Sequence, residues 1–299
     1  MTFASQSAAW LEQLRSRRTP VKPATLTTFA SIVKAHINPR IGSQQLEGFD
    51  NGAMKAFADG LYAQEPKLGA RTIREVVLVA KMIIASALDR NGNYLYPIKW
   101  NDKFLDLPRG STSIHGIDAK IIHNLIQDAP ARFAMLFTVA AGTGMRLGEL
   151  LSIKIDDPNP NGTSWDRTEK IIRVRQSVYR GALQLPKTAS SIRDIDLCEA
   201  LNVAITEFAA GRVEGFLFTG RTGRPIAPRF IYAHLNGHGA HSFRRWRVSW
   251  LRKQRAPEDL IRFWIGHANK TQTDDYSQLK QDVEYRRKIA EEVGLGFEI

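Results

Sequence analysis

Apolar residues recur at helical spacing through the first ninety residues. Over 5–17, Ala8, Leu11 and Leu14 share a face, and the run Thr19-Pro20-Val21-Lys22-Pro23 ends the helix they predict. A second helix is expected over 25–38, with Leu26, Phe29, Ile32, Val33 and Ile37 inward and Pro39 and Gly42 closing it. Asn51 is placed to cap a third, burying Met54, Phe57, Leu61 and Tyr62. The fourth, over 70–90, turns Ile73, Val76, Val77, Ala80, Ile83, Ile84 and Leu88 to one side and Arg71, Arg74 and Lys81 to the other. Residues 94–113 hold prolines and charges with no period and read as the linker of the chain.

Beyond Ile114 the pattern changes. Helices are expected over 118–127 and 131–141, the latter started by Pro130, and another begins at Leu147, Leu150 and Leu151. Residues 170–178 and 182–197 are β-branched and alternating, with Arg180-Gly181 between them, and predict a small antiparallel sheet. Helices over 198–210, 228–235 and 282–293 complete the reading, with Phe243, Trp246 and Trp250 marking the core face of one more that begins near His241. The fold class is therefore mainly α with a small antiparallel β-sheet (α+β). A helical domain occupies 1–105, a linker 106–113 and a second domain 114–299.

Composition narrows the partner. The chain of 299 residues is 43% hydrophobic and 24% charged, as an ordinary globular protein is, but carries a net charge of +12. Fourteen Lys and Arg stand against eight Asp and Glu through Leu105, so half of the excess lies in each part and both favour a polyanion. The single cysteine, Cys198, excludes an internal disulfide and suits a reducing compartment. No signal peptide precedes the first helix, and the apolar runs 76–88 and 133–145 are too short to span a bilayer. The expectation is a cytoplasmic protein, on the nucleoid when bound to DNA, with no membrane association.

Candidate chemistry concentrates in 240–279. His241-x-x-Arg244 places a histidine and an arginine on one side of a helix, Gly266-His267 follows, and Tyr276 lies nine residues past His267. By themselves these residues equally describe a basic DNA-facing helix and a packing tyrosine. Upstream, the turn Ala141-Gly142-Thr143-Gly144-Met145-Arg146 sets an arginine where glycines permit close approach and a helix begins, but it lacks the Lys-Ser/Thr of a nucleotide-binding loop. Taken together and in order, the set resembles the tyrosine recombinases, the phage-integrase family. Thr143-Gly144-x-Arg146-x-x-Glu149-Leu150 is similar to the first arginine box and Leu185-Pro186-Lys187-Thr188-x-x-Ser191-x-Arg193 to the β-hairpin lysine. His241-x-x-Arg244 resembles the second box, Gly266-His267 the histidine motif, and Thr273-x-x-Tyr276-Ser277 the nucleophile box. Arg245 stands where the family often has histidine, and Phe243 where leucine is common.

The resemblance implies a helical, SAM-like core-binding domain followed by a DNA breaking-rejoining catalytic domain. It implies catalytic roles for Arg146, Lys187, His241, Arg244, His267 and Tyr276, and a 3′-phosphotyrosyl intermediate with a free 5′-hydroxyl. The two arginines would grip the non-bridging oxygens, His241 is the candidate base for Tyr276, and by resemblance Lys187 supplies the leaving oxygen with its proton. His267 would hydrogen-bond a phosphate oxygen. No cofactor is expected, because the tyrosyl link conserves the bond energy. Expected DNA contacts are Arg71, Arg74, Lys81 and Arg245; Arg247, Arg252, Lys253 and Arg255 read as phosphate contacts or a solvated face, and Glu149 as the orienting partner of the arginine box. His234, His238 and His241 are a weak metal alternative, since Gly237 and Gly239 break their helix, and no metal is expected. The implied partners are double-stranded DNA with a specific core site and further copies of the chain, four in the synapse, accessory proteins being unassigned. A type IB topoisomerase-like enzyme and an inert DNA-binding protein of the same fold are the competing classes. The tail beyond Tyr276, apolar at Val283, Ile289, Val293, Leu295 and Phe297, suits docking on a neighbouring protomer or on its own domain.

Overall fold

The computed structural model describes residues 1–109, 116–186, 188–267 and 281–299. The chain divides into two compact units, Met1–Ser113 and Ile114–Ile299, each with its own core.

In the first unit, α1 (Phe3–Ser16) starts at Thr2, whose hydroxyl accepts from the Ser5 amide, and α2 (Pro23–Ile32) starts at a proline that needs no amide partner. The expected stop at Pro39 does not occur. A π turn (Val33–Ile37) carries the chain into α3 (Asn38–Ile41), the Asn38 amide reaching back to the Val33 carbonyl. Widening the turn absorbs the hydrogen bond that Pro39 cannot make. Asp50, rather than Asn51, caps α4 (Asn51–Ala63), accepting from the Ala53 amide at 2.8 Å. Asn51 instead ties down a later segment, donating to the Lys99 carbonyl and accepting from the Asn101 amide. Tyr62 is 65% exposed, a correction to its inward placement. Helix α5 (Ala70–Ala85) ends before the expected Arg90, because the Ser86 hydroxyl takes the Ile83 carbonyl and Ala87 turns into the core, leaving Leu88 exposed.

The stretch read as linker is largely structure. Tyr96, Ile98, Trp100 and Leu107 pack on the first core around buried Leu105, which lies in α6 (Asp102–Leu105). Aromatic and aliphatic residues without a period bury perfectly well when the backbone is irregular.

The second unit opens with α7 (Ala119–Gln127), capped by Asp118, and α8 (Ala131–Thr143). Next come α9 (Leu147–Leu150) and short strands, among the described residues β1 (Lys154–Ile155), β2 (Ser164–Asp166), β3 (Ile171–Val174), β4 (Ser177–Tyr179), β5 (Ala182–Gln184) and β6 (Arg193–Asp196). The main sheet runs β1-β2-β3-β6, while β4 and β5 form a separate hairpin. The sheet is mixed, not antiparallel throughout, since β1 pairs with β2 in parallel. The strands β1 and β2 lie in a Pro-, Asn- and Asp-rich stretch that carries no alternation to reveal them. Arg180 and Gly181 both have positive φ, the two-residue turn that suits a tight hairpin.

Helices α10 (Glu199–Ala209), α11 (Pro228–Tyr232), α12 (His241–Lys253), α13 (Glu258–Ile265) and α14 (Val283–Val293) complete the unit. Phe137 of α8 stacks on Phe243 of α12, and Trp246 lies parallel to Trp250 at 5.9 Å. Within the single chain the tail packs on its own unit. Arg286 of α14 pairs with the buried Asp196 at 2.9 Å, and Ala290, Val293 and Leu295 enter the unit's own core. No helix among the described residues is long and apolar enough to cross a membrane.

Candidate functional site

The site begins with a glycine. Gly144 ends α8 in the left-handed region at φ 67°, and a Cβ there would lie 2.7 Å from Ile265 Cδ1. This turn delivers Arg146 to the start of α9. The Glu149 carboxylate reaches back to the Arg146 amide at 3.0 Å and pairs with the Arg146 guanidinium at 2.9 Å. It also pairs with Arg193 of β6 at 2.9 Å, and both of these groups are 3% exposed. Burial pushes the Glu149 carboxyl up, but Arg193 and Arg146 overcome it and hold the group below the usual carboxylate range. Arg193 spends its other donors on the carbonyls of Trp264 and Ser191. It fits because residue 266 is glycine: a Cβ there would sit 2.9 Å from Arg193 Nη1.

Arg244, on α12, is 3% exposed and donates from Nη1 to the Gly144 carbonyl at 3.0 Å. Its Nη2 is buried and has no hydrogen-bond partner among the described residues. Burial, then Arg146 and Arg193, bring this guanidinium down to about 9, well below its usual range. His241, at the first position of α12, and His267, just past α13, stand at the rim. Partial burial of each ring, with Arg244 next in effect, lowers both below the usual imidazole value; Arg146 acts on both, Arg193 and His241 on His267. The structure therefore gathers Arg146, His241, Arg244 and His267 around one point and adds Arg193. Within this group Glu149 is the one anion, and it is already shared by two arginines. Lys187 and Tyr276 lie outside the described residues.

Other assignments shift. Arg247 is 6% exposed and belongs to the interior, not to a solvated or phosphate-contacting face. Arg245 is exposed and donates to Ser242 Oγ, while Arg252 pairs with Glu258 at 2.7 Å. Lys253 lies over the Trp250 ring at 5.8 Å, and Arg255 takes a left-handed backbone at φ 59°. In the first unit Arg71, Arg74 and Lys81 line one cleft of about 670 Å³, with Arg109 beside them. Lys81 is held there, 2.8 Å from Asp102 and over the Trp100 ring. The His234 ring packs on Phe133 at 4.4 Å, and among the described residues no His, Cys, Asp or Glu cluster is arranged to hold a metal. The sequence assigns Arg193 no role beyond its place in the lysine motif; its pairing with the buried Glu149 is a structural finding with no sequence signal.

No protein-family model matches the chain, and no curated protein matches it in sequence. Solved structures do match in fold. The Tn1549 transposon integrase in complex with transposon right end DNA is 16% identical, with a TM-score of 0.69 over 94% of this chain and 99% of that one. A lambda integrase tetramer bound to a Holliday junction is 16% identical, with a TM-score of 0.65 over 91% of this chain and 79% of that one. A lambda integrase dimer bound to a COC′ core site is 17% identical, with a TM-score of 0.62 over 92% and 95%. Mainly helical, with a small mixed sheet and both units covered by these matches, the chain has the fold of the tyrosine recombinases.

Proposed function

We propose that this protein is a site-specific DNA recombinase or integrase that cuts and rejoins double-stranded DNA through a 3′-phosphotyrosyl intermediate. One observation carries the reading: the buried Nη2 of Arg244, without a hydrogen-bond partner among the described residues, in a cluster where burial first, and the neighbouring arginines next, lower the proton affinity of Arg244, His241 and His267. A buried donor without an acceptor costs about 1–3 kcal/mol. A phosphodiester oxygen at that point would accept a hydrogen bond from Nη2, and its negative charge would offset the neighbouring cations.

In the proposed reaction Arg146 and Arg244 hold the non-bridging oxygens and stabilise the charge that grows on them in the transition state. His241, neutral at pH 7 because its proton affinity is lowered, takes the phenolic proton of Tyr276. The phenolate oxygen bonds to phosphorus, the bond to the 5′-oxygen breaks, and Lys187 gives that oxygen its proton. His267 donates to a phosphate oxygen, and reversal by an incoming 5′-hydroxyl rejoins the strand. Each step exchanges one phosphoester for another, so no nucleotide cofactor enters. The first unit is assigned as the core-binding domain, with Arg71 and Arg74 as phosphate contacts, and the second as the catalytic domain. A duplex core site bound by two protomers and a synapse of four are the proposed assembly, in line with the dimer and tetramer forms of lambda integrase.

The test is a suicide duplex carrying the ends of the mobile DNA element that such an integrase would move, with random duplex as control. The expected product is a covalent adduct on the element ends alone, located by mass spectrometry on Tyr276 through the DNA 3′ end. Tyr276→Phe should bind the same DNA and form none. Adducts on every duplex alike would turn the reading to a type IB topoisomerase, and binding without adducts to an inert DNA-binding protein.

A further inference from the structure

One turn beyond Arg244, helix α12 carries a second buried arginine that the reaction does not use. Arg247 is 6% exposed, and among the described residues no carboxylate pairs with it. A buried charge without a counter-ion needs other dipoles around it. Here they come from the tail: Nη1 donates to the Gly294 carbonyl at 2.7 Å and approaches the Leu295 carbonyl at 3.4 Å. Both lie at the C-terminal end of α14, where unpaired carbonyls concentrate the negative end of the helix dipole. Burial lowers the guanidinium to about 10, so it stays protonated at neutral pH.

The same side chain meets the site. A Cβ on Gly144 would lie 3.3 Å from both Cβ and Cγ of Arg247, so its stem packs directly on the turn that delivers Arg146. That turn's Gly144 carbonyl is the one that accepts from Arg244. Arg247 thus touches the tail at its head and the catalytic turn at its stem, from the helix that carries Arg244. Other contacts hold the tail in register with α12. Trp250 Nε1 donates to the Val293 carbonyl at 2.8 Å, Phe297 meets the Trp246 ring edge-on, and Gly296 lies where a Cβ would be 2.3 Å from Trp250.

We propose that Arg247 is a positioning residue: by capping the tail helix it locks the Gly144 turn against α12 and sets the spacing of Arg146 and Arg244. The catalytic part of this inference rests on the function proposed above.

Full-length protein, Arg247→Met, Arg247→Lys, a deletion of 294–299 and the Met-plus-deletion double variant are compared in two ways. The first is amide hydrogen exchange over 141–148, which needs no catalysis. Arg247→Met and the deletion should each speed exchange there roughly tenfold, the double variant no more than either alone, and Arg247→Lys less. The second is single-turnover adduct formation, expected to slow about tenfold or more with DNA affinity within about twofold of the parent. Unchanged exchange over 141–148, or additive effects of the two changes, would overturn the proposal, as would weakened DNA binding with an unchanged rate. A parent chain that forms no adduct sinks the proposed function, while the exchange comparison still decides the role of Arg247. Thermal transitions check folding first; if Arg247→Met does not fold, Arg247→Lys and the deletion carry the comparison.

Discussion

At the scale of single residues the site is held short of an anion. His241 and His267 are both lowered from 6.5, burial leading and the arginines following. In the unfolded chain each titrates near that value, so their contribution to stability is present above about pH 6.5 and is lost as pH falls towards the folded values. An anion between the arginines reverses the electrostatic part of the shift. In a histidine C2-proton NMR titration, both rings should titrate below 6.5 in the free protein and move up on adding inorganic phosphate. Rings that ignore phosphate would argue that the arginines do not gather one. The sequence made four of these positions legible, because motif spacing records which residues a turn, a helix start and a helix end present. It left Arg193 and Arg247 without their actual parts. Basic residues in a basic protein read as surface, and only burial beside Glu149 or the Gly294 carbonyl distinguishes them.

At the scale of elements, glycines decide how closely the pieces meet. Gly144 needs a left-handed backbone and also a missing side chain, since Ile265 and Arg247 occupy the space. Gly144→Ala should therefore cost more than the usual ~1 kcal/mol of a strained glycine replacement and lower the urea midpoint clearly. A midpoint within error of the parent would show that the turn relaxes cheaply. Among helices with a strong apolar stripe, α7 was legible end to end and α5 in its start and buried face, because burial of one face dictates the period; the end of α5 was set instead by Ser86 and Ala87. The π turn before Pro39, the strands β1 and β2 and the packed segment 96–107 were not. Each depends on a partner distant in sequence rather than on local period: a proline's missing donor, a neighbouring strand, a core already built.

At the scale of the whole chain, two cores imply two cooperative events. Phe3, Trp10, Met54 and Val76 close the first, while Phe137, Trp165, Phe243 and Ile265 close the second. Fragments 1–109 and 116–299 should each fold alone and melt in a single transition by circular dichroism. A first fragment without a transition would make its core dependent on the second unit. The parallel tryptophans of α12 carry one more consequence. Rings 5.9 Å apart and tilted by only 7° couple their excited states, and the tail touches both, by a hydrogen bond to one indole and an aromatic edge on the other. The protein thus carries a built-in chromophore pair whose near-ultraviolet signal reports, without any label, whether its last seven residues are at home.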